Sequence, residues 1–283
     1  MKYPLTTVAI ALFLGGAIAR ADSFEDGLAA FSRRDDAKAL RAFQSVAAEG
    51  HAAGQSNLGL MYFEGRGVPQ DYAQALHWFG LAAAGGNASA QSNLGVMYAN
   101  GNGVAQDYAE ALKWFGLAAG QGHAVAQFNL GVMHEEARGV PQDYAAALGW
   151  YRLAAAQQHA GAQCNLGVMY TSGKGLGQDY AEALKWFRLS AEQGYAVAQF
   201  NLGVMYSEGR GVEPDNSQSA MWYYIAAAQG HAAARNNLAI AHEARYARAR
   251  EQVMAGVRSG AFGRPGSPDN AGWSEILARQ VGR

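Results

Sequence analysis

From residue 51 to residue 230 the order of apolar and polar positions repeats every 36 residues. Asn-Leu-Gly begins at Asn57, Asn93, Asn129, Asn165 and Asn201, and Asn-Leu-Ala at Asn237. Trp78, Trp114, Trp150, Trp186 and Trp222 keep the same interval, as do Asp71, Asp107, Asp143, Asp179 and Asp215. Each period reads as two helices. In the first, Leu58 and Tyr62 lie four apart on one face of a helix A over about residues 52–63. The loop 64–70 supplies glycines for positive φ and Pro69 for a fixed φ. Asp71 then caps helix B, and Gln74, Glu110 and Glu182 follow their Asp caps by three residues, as in a capping box. Helix B carries Leu76, Trp78, Phe79 and the small run Ala82 to Ala84. It ends at Gly86, a left-handed stop matched by Gly50, Gly122, Gly194 and Gly230. A helix-interior Gly costs about 1 kcal/mol against Ala. The recurrence of Gly59 at 95, 131, 167 and 203 therefore predicts a close approach between helices.

A period of this size predicts a stacked array in which each unit buries its apolar face against its neighbours. Five complete units result, 51–86, 87–122, 123–158, 159–194 and 195–230, in an all-α solenoid of helix-turn-helix repeats. The 36 glycines in 283 residues are then punctuation and packing points, not evidence against helix. Half the residues are hydrophobic and only 16% are charged, so a substantial core is expected. The balance of 22 basic and 23 acidic residues lacks the positive footprint of a nucleic-acid binder.

The first 21 residues read as a secretory signal: Lys2 in the n-region, an apolar run from Val8 to Ile18, and Ala19-Arg20-Ala21 as the cleavage site. The mature chain would begin at Asp22 with a net charge of −3 and be periplasmic or secreted. The apolar run is shorter than the roughly 20 residues of a spanning helix, so no stable membrane insertion is expected after cleavage. The lone Cys164 excludes an intrachain disulfide.

The pattern Ala-x-x-Asn-Leu-Gly-x-Met-Tyr-x-x-Gly-x-Gly-Val-x-x-Asp-Tyr-x-x-Ala-x-x-Trp resembles the Sel1-like repeat, a longer-looped relative of the tetratricopeptide repeat. The likeness covers residues 51–230. Residues 22–50 resemble a tetratricopeptide-type capping helix pair, because Gly27 to Ala39 spans 12 residues where Gly59 to Ala75 spans 16. Residues 231–258 supply C-terminal capping helices, and 259–283 a Gly/Pro/Ser-rich linker with a short terminal helix containing Trp273, Ile276, Leu277 and Val281. The resemblance implies a right-handed superhelix whose concave side is lined by helices A, and a role in holding other proteins. It also extends to cysteine-rich secreted relatives described as binding or hydrolysing β-lactams, so a cell-wall or β-lactam-binding hydrolase is the alternative. This chain lacks their paired cysteines and any nucleophile motif.

Candidate chemistry is sparse, and neither a metal nor a cofactor is expected. His51, His123, His159 and His231 share one repeat position, but neighbouring helices pack on the order of 10 Å apart, too far for one metal ion. His134-Glu135-Glu136 lacks the spacing that sets two ligands on one helix face. The expected partner is a protein or peptide. By analogy with tetratricopeptide grooves, positions 53, 56, 60 and 63 of helix A face inward. Position 60 is always aliphatic (Leu60, Val96, Val132, Val168, Val204, Ile240) and reads as core. Position 56 varies (Ser56, Ser92, Phe128, Cys164, Phe200, Asn236) and reads as recognition. Phe128, Cys164 and Phe200 would then form an apolar stretch of groove, edged by Glu135, Glu136 and Glu208. The asparagines, including Asn129, Asn165 and Asn201, are either a ladder of amides for an extended peptide or bonded within the array. Trp150 is expected to pack between its own helix A and the following unit. The unit at 123–158 departs most from the pattern, with His134, Ala137 and Gln158 where its neighbours carry Tyr, Gly and Gly. It either keeps a left-handed geometry without glycine or ends its helices differently.

Overall fold

A computed structural model describes residues 24–240 together with Glu251 and Ala255. The segment read as a secretory signal and the expectations placed beyond residue 240 lie outside the described residues. Every described element is helical: α1 (24–32), α2 (Asp36–Ala48), α3 (Ala52–Glu64), α4 (Tyr72–Ala84), α5 (Ala88–Asn100), α6 (Tyr108–Gly120), α7 (Ala124–Glu135), α8 (Tyr144–Ala156), α9 (Ala160–Ser172), α10 (Tyr180–Glu192), α11 (Ala196–Glu208), α12 (Asn216–Ala228) and α13 (232–240). Odd-numbered helices from α3 are the A helices and even-numbered ones from α4 the B helices. The chain is an all-α repeat solenoid of 36-residue helix-turn-helix units. It divides into two compact units, one ending at Ala162 and one beginning at Gln163.

The helix ends follow from local chemistry. Asp71 Oδ1 accepts from the backbone N–H groups of Ala73 and Gln74 at 2.9 and 3.0 Å, and Asp107, Asp143, Asp179 and Asp215 repeat the cap. The reciprocal half of the expected capping box does not form. The Asp71 N–H instead donates to the Tyr62 carbonyl at 3.0 Å, leaving no donor for residue 74. Glu110 and Glu182 pair with Lys113 and Lys185, one turn on. Gln70, Gln106, Gln142 and Gln178 return from the loop to donate to the carbonyls of Phe63, Ala99, Glu135 and Thr171, near the end of helix A.

The recurring Gly in mid-helix A is a packing residue. A Cβ on Gly59 would lie 2.7 Å from the Phe79 ring, on Gly95 2.6 Å from Phe115, and on Gly131 2.5 Å from Tyr151. In the C-terminal unit Gly167 meets Phe187 and Gly203 meets Tyr223 in the same way. The loops of the N-terminal unit keep a second close approach: Gly67 sits on the Asp36 carbonyl, and Gly103 and Gly139 on Tyr72 and Tyr108. Each of these loops thus rests on the first turn of the preceding even-numbered helix.

The core recurs at the seam between one B helix and the next A helix. Ala75, Phe79, Ala82 and Ala83 of α4 meet Ala90, Leu94 and Met97 of α5. Ala111, Phe115, Ala118 and Ala119 of α6 meet Ala126, Leu130 and Met133 of α7. Within the C-terminal unit, Ala183, Leu184, Phe187 and Ala191 meet Ala198, Leu202 and Met205. Trp78, Trp114, Trp150, Trp186 and Trp222 are only half-buried. Trp150 packs against the α6–α7 cluster, which joins its own helix A to helix B of the preceding repeat. The fully buried aromatic of helix α8 is its neighbour, Tyr151.

The seam also carries a buried glutamine ladder that the sequence pattern did not reveal. Gln91 Nε2 donates to the Ala83 carbonyl of the preceding B helix, and Gln91 Oε1 accepts from Gln121 Nε2 at 2.7 Å. Gln127 repeats this with Ala119 and Gln157, and Gln199 with Ala191 and Gln229. Each amide therefore bonds both the preceding unit and its own, as a buried polar group requires.

Candidate functional face of the A helices

Positions 53, 57, 60 and 64 fall on one stripe of an α-helix, and this stripe is the open face of the A helices. Val125 and Val197 at position 53 are 43% and 41% exposed, and Val168 at position 60 is 37% exposed. The other described position-60 residues are half-buried, except Ile240, which is exposed. The position expected to be core is thus partly open. Position 56 lies on the same side of the helix as position 60, about 40° further round toward the neighbouring helix, and only Asn236 of its described copies is exposed. Ser56, Ser92 and Cys164 are buried, and Phe128 and Phe200 are half-buried.

This corrects the expected groove. Phe128 lies with its ring stacked 4.7 Å from His159 and 5.9 Å from Tyr151. Phe200 is held likewise by His231 and Tyr223. Both rings fill the seam because a one-residue step along a helix rotates a side chain about 100°, from the open face at 57 to the neighbouring helix at 56. Cys164 is 1% exposed, and burial pushes its thiol pKa up to about 12, opposed by the Asn201 amide. A neutral, buried thiol is neither a surface contact nor a nucleophile. A sequence signal was available: Phe occupies position 56 in the two units whose B helix carries Tyr151 or Tyr223 in place of Phe.

The acidic edge is engaged locally. Glu135 Oε2 accepts from the Tyr151 hydroxyl at 2.7 Å. Glu136 and Glu208 pair with Arg138 and Arg210 at 2.6 and 2.5 Å. The asparagines are half-buried on the open face and do not share one role. Asn57 Nδ2 donates to the Ala53 carbonyl of its own helix at 2.9 Å, and Asn201 leans on Cys164 Sγ at 4.0 Å. The amides of Asn93, Asn129 and Asn165 make no side-chain hydrogen bond to the described residues.

A cavity of about 110 Å³ opens between α5 and α7. Val96, Ala99, Phe115, Val132 and Met133 line it with apolar surface, and Asn100, Asn129 and Arg138 add polar groups. Among the described residues no carboxylate lines it. Of the residues expected to bind a partner, only Asn129 lies here. The cavity itself escaped sequence reading, although its signal was present: Ala99 stands where the preceding repeat has Phe63.

The imidazoles at position 51 have a structural role. His51 Nδ1 accepts from the Gly54 N–H, His123 Nδ1 from Ala126, His159 Nδ1 from Ala162 and His231 Nδ1 from Ala234. Asn87 caps the equivalent helix with its side-chain oxygen. Among the described residues no group of three or more His, Cys, Asp or Glu is placed to hold a metal ion. No described helix is long and apolar enough to cross a membrane.

Comparison with known proteins agrees with this architecture. The Sel1 repeat matches residues 52–87, 88–123, 124–159, 160–195 and 196–231, the expected units phased one residue later. A protective antigen of uropathogenic Escherichia coli with an SLR fold is 35% identical, with a TM-score of 0.69. The match covers 97% of this chain and 57% of that one, so this chain spans little more than half of the antigen's length. A Sel1 repeat protein from Oxalobacter formigenes is 28% identical with a TM-score of 0.70, over 92% of this chain and 96% of that one. An immunity protein from Pseudomonas aeruginosa shares the fold at 18% identity and a TM-score of 0.51, over 69% and 74% of the two chains. No curated protein matches. Five contiguous repeat matches, with the helix pairs and seams they predict, make this chain a member of the Sel1 repeat family.

Proposed function

We propose that this protein is an exported, non-catalytic scaffold that holds a polypeptide partner on the open face of its A helices. The carrying observation is chemical. The Asn93 and Asn129 amides, unpaired among the described residues, stand beside the half-exposed Val96 and Val132 on adjacent A helices. An amide offers both a donor and an acceptor to a peptide backbone, and aliphatic groups beside it favour burial of an apolar partner surface. The Sel1 repeat belongs to a fold class typical of protein–protein interaction scaffolds, which supports the same reading.

A photo-crosslinking residue at Val132, on the A face, is expected to capture a partner from the cell envelope. The same residue at Leu153, 50% exposed on helix B, is expected to capture none. Capture at Leu153 alone would move the binding face to the B helices. Export is part of the proposal and rests on the Val8–Ile18 run and the Ala19-Arg20-Ala21 site. Intact-mass measurement of protein from cells is expected to give a chain beginning at Asp22, and a chain retaining Met1 would remove the envelope from the argument.

A further inference from the structure

We infer that the cavity between α5 and α7 is a subsite for one branched aliphatic residue in an uncharged, extended stretch of the bound polypeptide. This rests on the A face being the binding face. Size sets the first limit. A cavity of 150 Å³ holds a benzene ring, and liquid water occupies about 30 Å³ per molecule. A volume of about 110 Å³ therefore takes roughly four heavy atoms, the size of a Leu, Ile or Val side chain and too small for an aromatic one. Val96, Ala99, Phe115, Val132 and Met133 match such a group chemically.

Charge sets the second limit. The polar groups on the wall include the Asn100 and Asn129 amides, which donate and accept, and the Arg138 guanidinium, which only donates, so donors predominate. They favour an acceptor oxygen on the ligand. Arg138 is already neutralised by Glu136 at 2.6 Å, so a carboxylate would have to compete with an existing ion pair. A neutral main-chain carbonyl does not, and the Asn129 amide, unpaired among the described residues, can donate to it. This selects an internal residue over a chain terminus.

The subsite belongs to one repeat interval. At position 63 the three successive A helices carry Phe63, Ala99 and Glu135. Phe63 packs 5.4 Å from the Tyr72 ring, and Glu135 is held by Tyr151. Ala99, the smallest of the three, lines the cavity.

The test uses the full mature chain with blocked amino acids as probes, followed by NMR of the Val96 and Val132 methyls and the Asn129 side-chain amide. N-acetyl-leucine N-methylamide is expected to shift all three saturably, with a dissociation constant of about 1 mM. N-acetyl-leucine with a free carboxylate is expected to bind at least about tenfold more weakly, and N-acetyl-phenylalanine N-methylamide not measurably. Ala99→Phe, which borrows the preceding repeat's own residue, is expected to abolish the shifts. Val132→Ala enlarges the cavity and is expected to transfer preference to the phenylalanine probe, a gain that misfolding does not produce. Absence of saturable shifts, equal binding of the carboxylate, or shifts that persist in folded Ala99→Phe would overturn the subsite. Partner capture through Val132 in any of those cases would leave the binding face standing, whereas loss of capture together with the probe shifts would remove both.

Discussion

Two side chains in the third repeat hold backbone conformations that glycine normally supplies. Ala137 has φ +57° and Gln158 φ +62°, where the equivalent positions in the first repeat are Gly65 and Gly86. The unit therefore keeps the left-handed geometry of its neighbours at both positions, although α7 ends at Glu135, one residue sooner than α3, α5 and α11. A non-Gly residue there costs about 1 kcal/mol. Ala137→Gly and Gln158→Gly are each expected to raise stability by about 0.5–1 kcal/mol, after the entropy glycine adds to the unfolded chain, read as a higher urea midpoint. The aromatic pair in α8 gives a second residue-scale expectation. Tyr151 is fully buried against Gly131 and bonded to Glu135, whereas Trp150 is half-buried. Tyr151→Ala is expected to cost about 3–5 kcal/mol, the range for large-to-small core changes, and Trp150→Ala clearly less. Equal losses in denaturation midpoint would mean that the tryptophan carries as much of the seam as the tyrosine.

At the scale of the helix, the N-caps of α7 and α9 make stability depend on pH. His123 and His159 accept at Nδ1, which requires the neutral ring. Burial lowers the pKa of both below 6.5, and for His159 the nearby His123 adds to the lowering while a backbone hydrogen bond opposes it. As pH falls the unfolded chain takes up protons first. The stabilisation is therefore complete above about 6.5 and is lost as pH falls through the folded-state values. Each lost cap is worth about 1 kcal/mol. The urea midpoint is expected to fall between pH 7.5 and pH 5. His123→Asn with His159→Asn, which installs at both positions the residue that caps α5 at Asn87, is expected to flatten that dependence. An unchanged slope in the double variant would assign the pH effect to other groups.

Across the N-terminal unit, the glutamine ladder joins what the helices alone leave separate. Gln127 bonds the last turn of α6 and the end of α8 at once. Gln127→Leu leaves the Gln157 amide without this partner and is expected to cost about 1–3 kcal/mol. Contacts in a stacked array are between nearest neighbours, so the damage is expected to stay local. Hydrogen exchange should quicken in residues 108–157 and remain unchanged in residues 52–84. Uniform acceleration throughout the unit would show cooperativity beyond adjacent repeats.

The period, the two helices per unit, the Asp caps and the glycine stops were all readable from sequence, because each is set within a few residues by φ limits and side-chain-to-backbone bonds. The tight fit of Gly59 against Phe79 was readable as a close approach, though not as one between a helix backbone and a ring. Burial was a different matter. In a stacked array every copy of a position sees nearly the same surroundings, so a uniform ladder such as Leu60 to Ile240 says nothing about which side it faces. Position 56 is buried or half-buried in the repeats because its side chain meets residues of two other helices, as Phe128 meets Tyr151 and His159, a setting that the order of residues in helix A does not reveal. The reach of Gln91 to Gln121, the pairing of Glu135 with Tyr151 and the space beside Ala99 depend likewise on how helices dock. That docking is fixed by the summed packing of the seams, a non-local quantity that the order of residues in one helix does not contain.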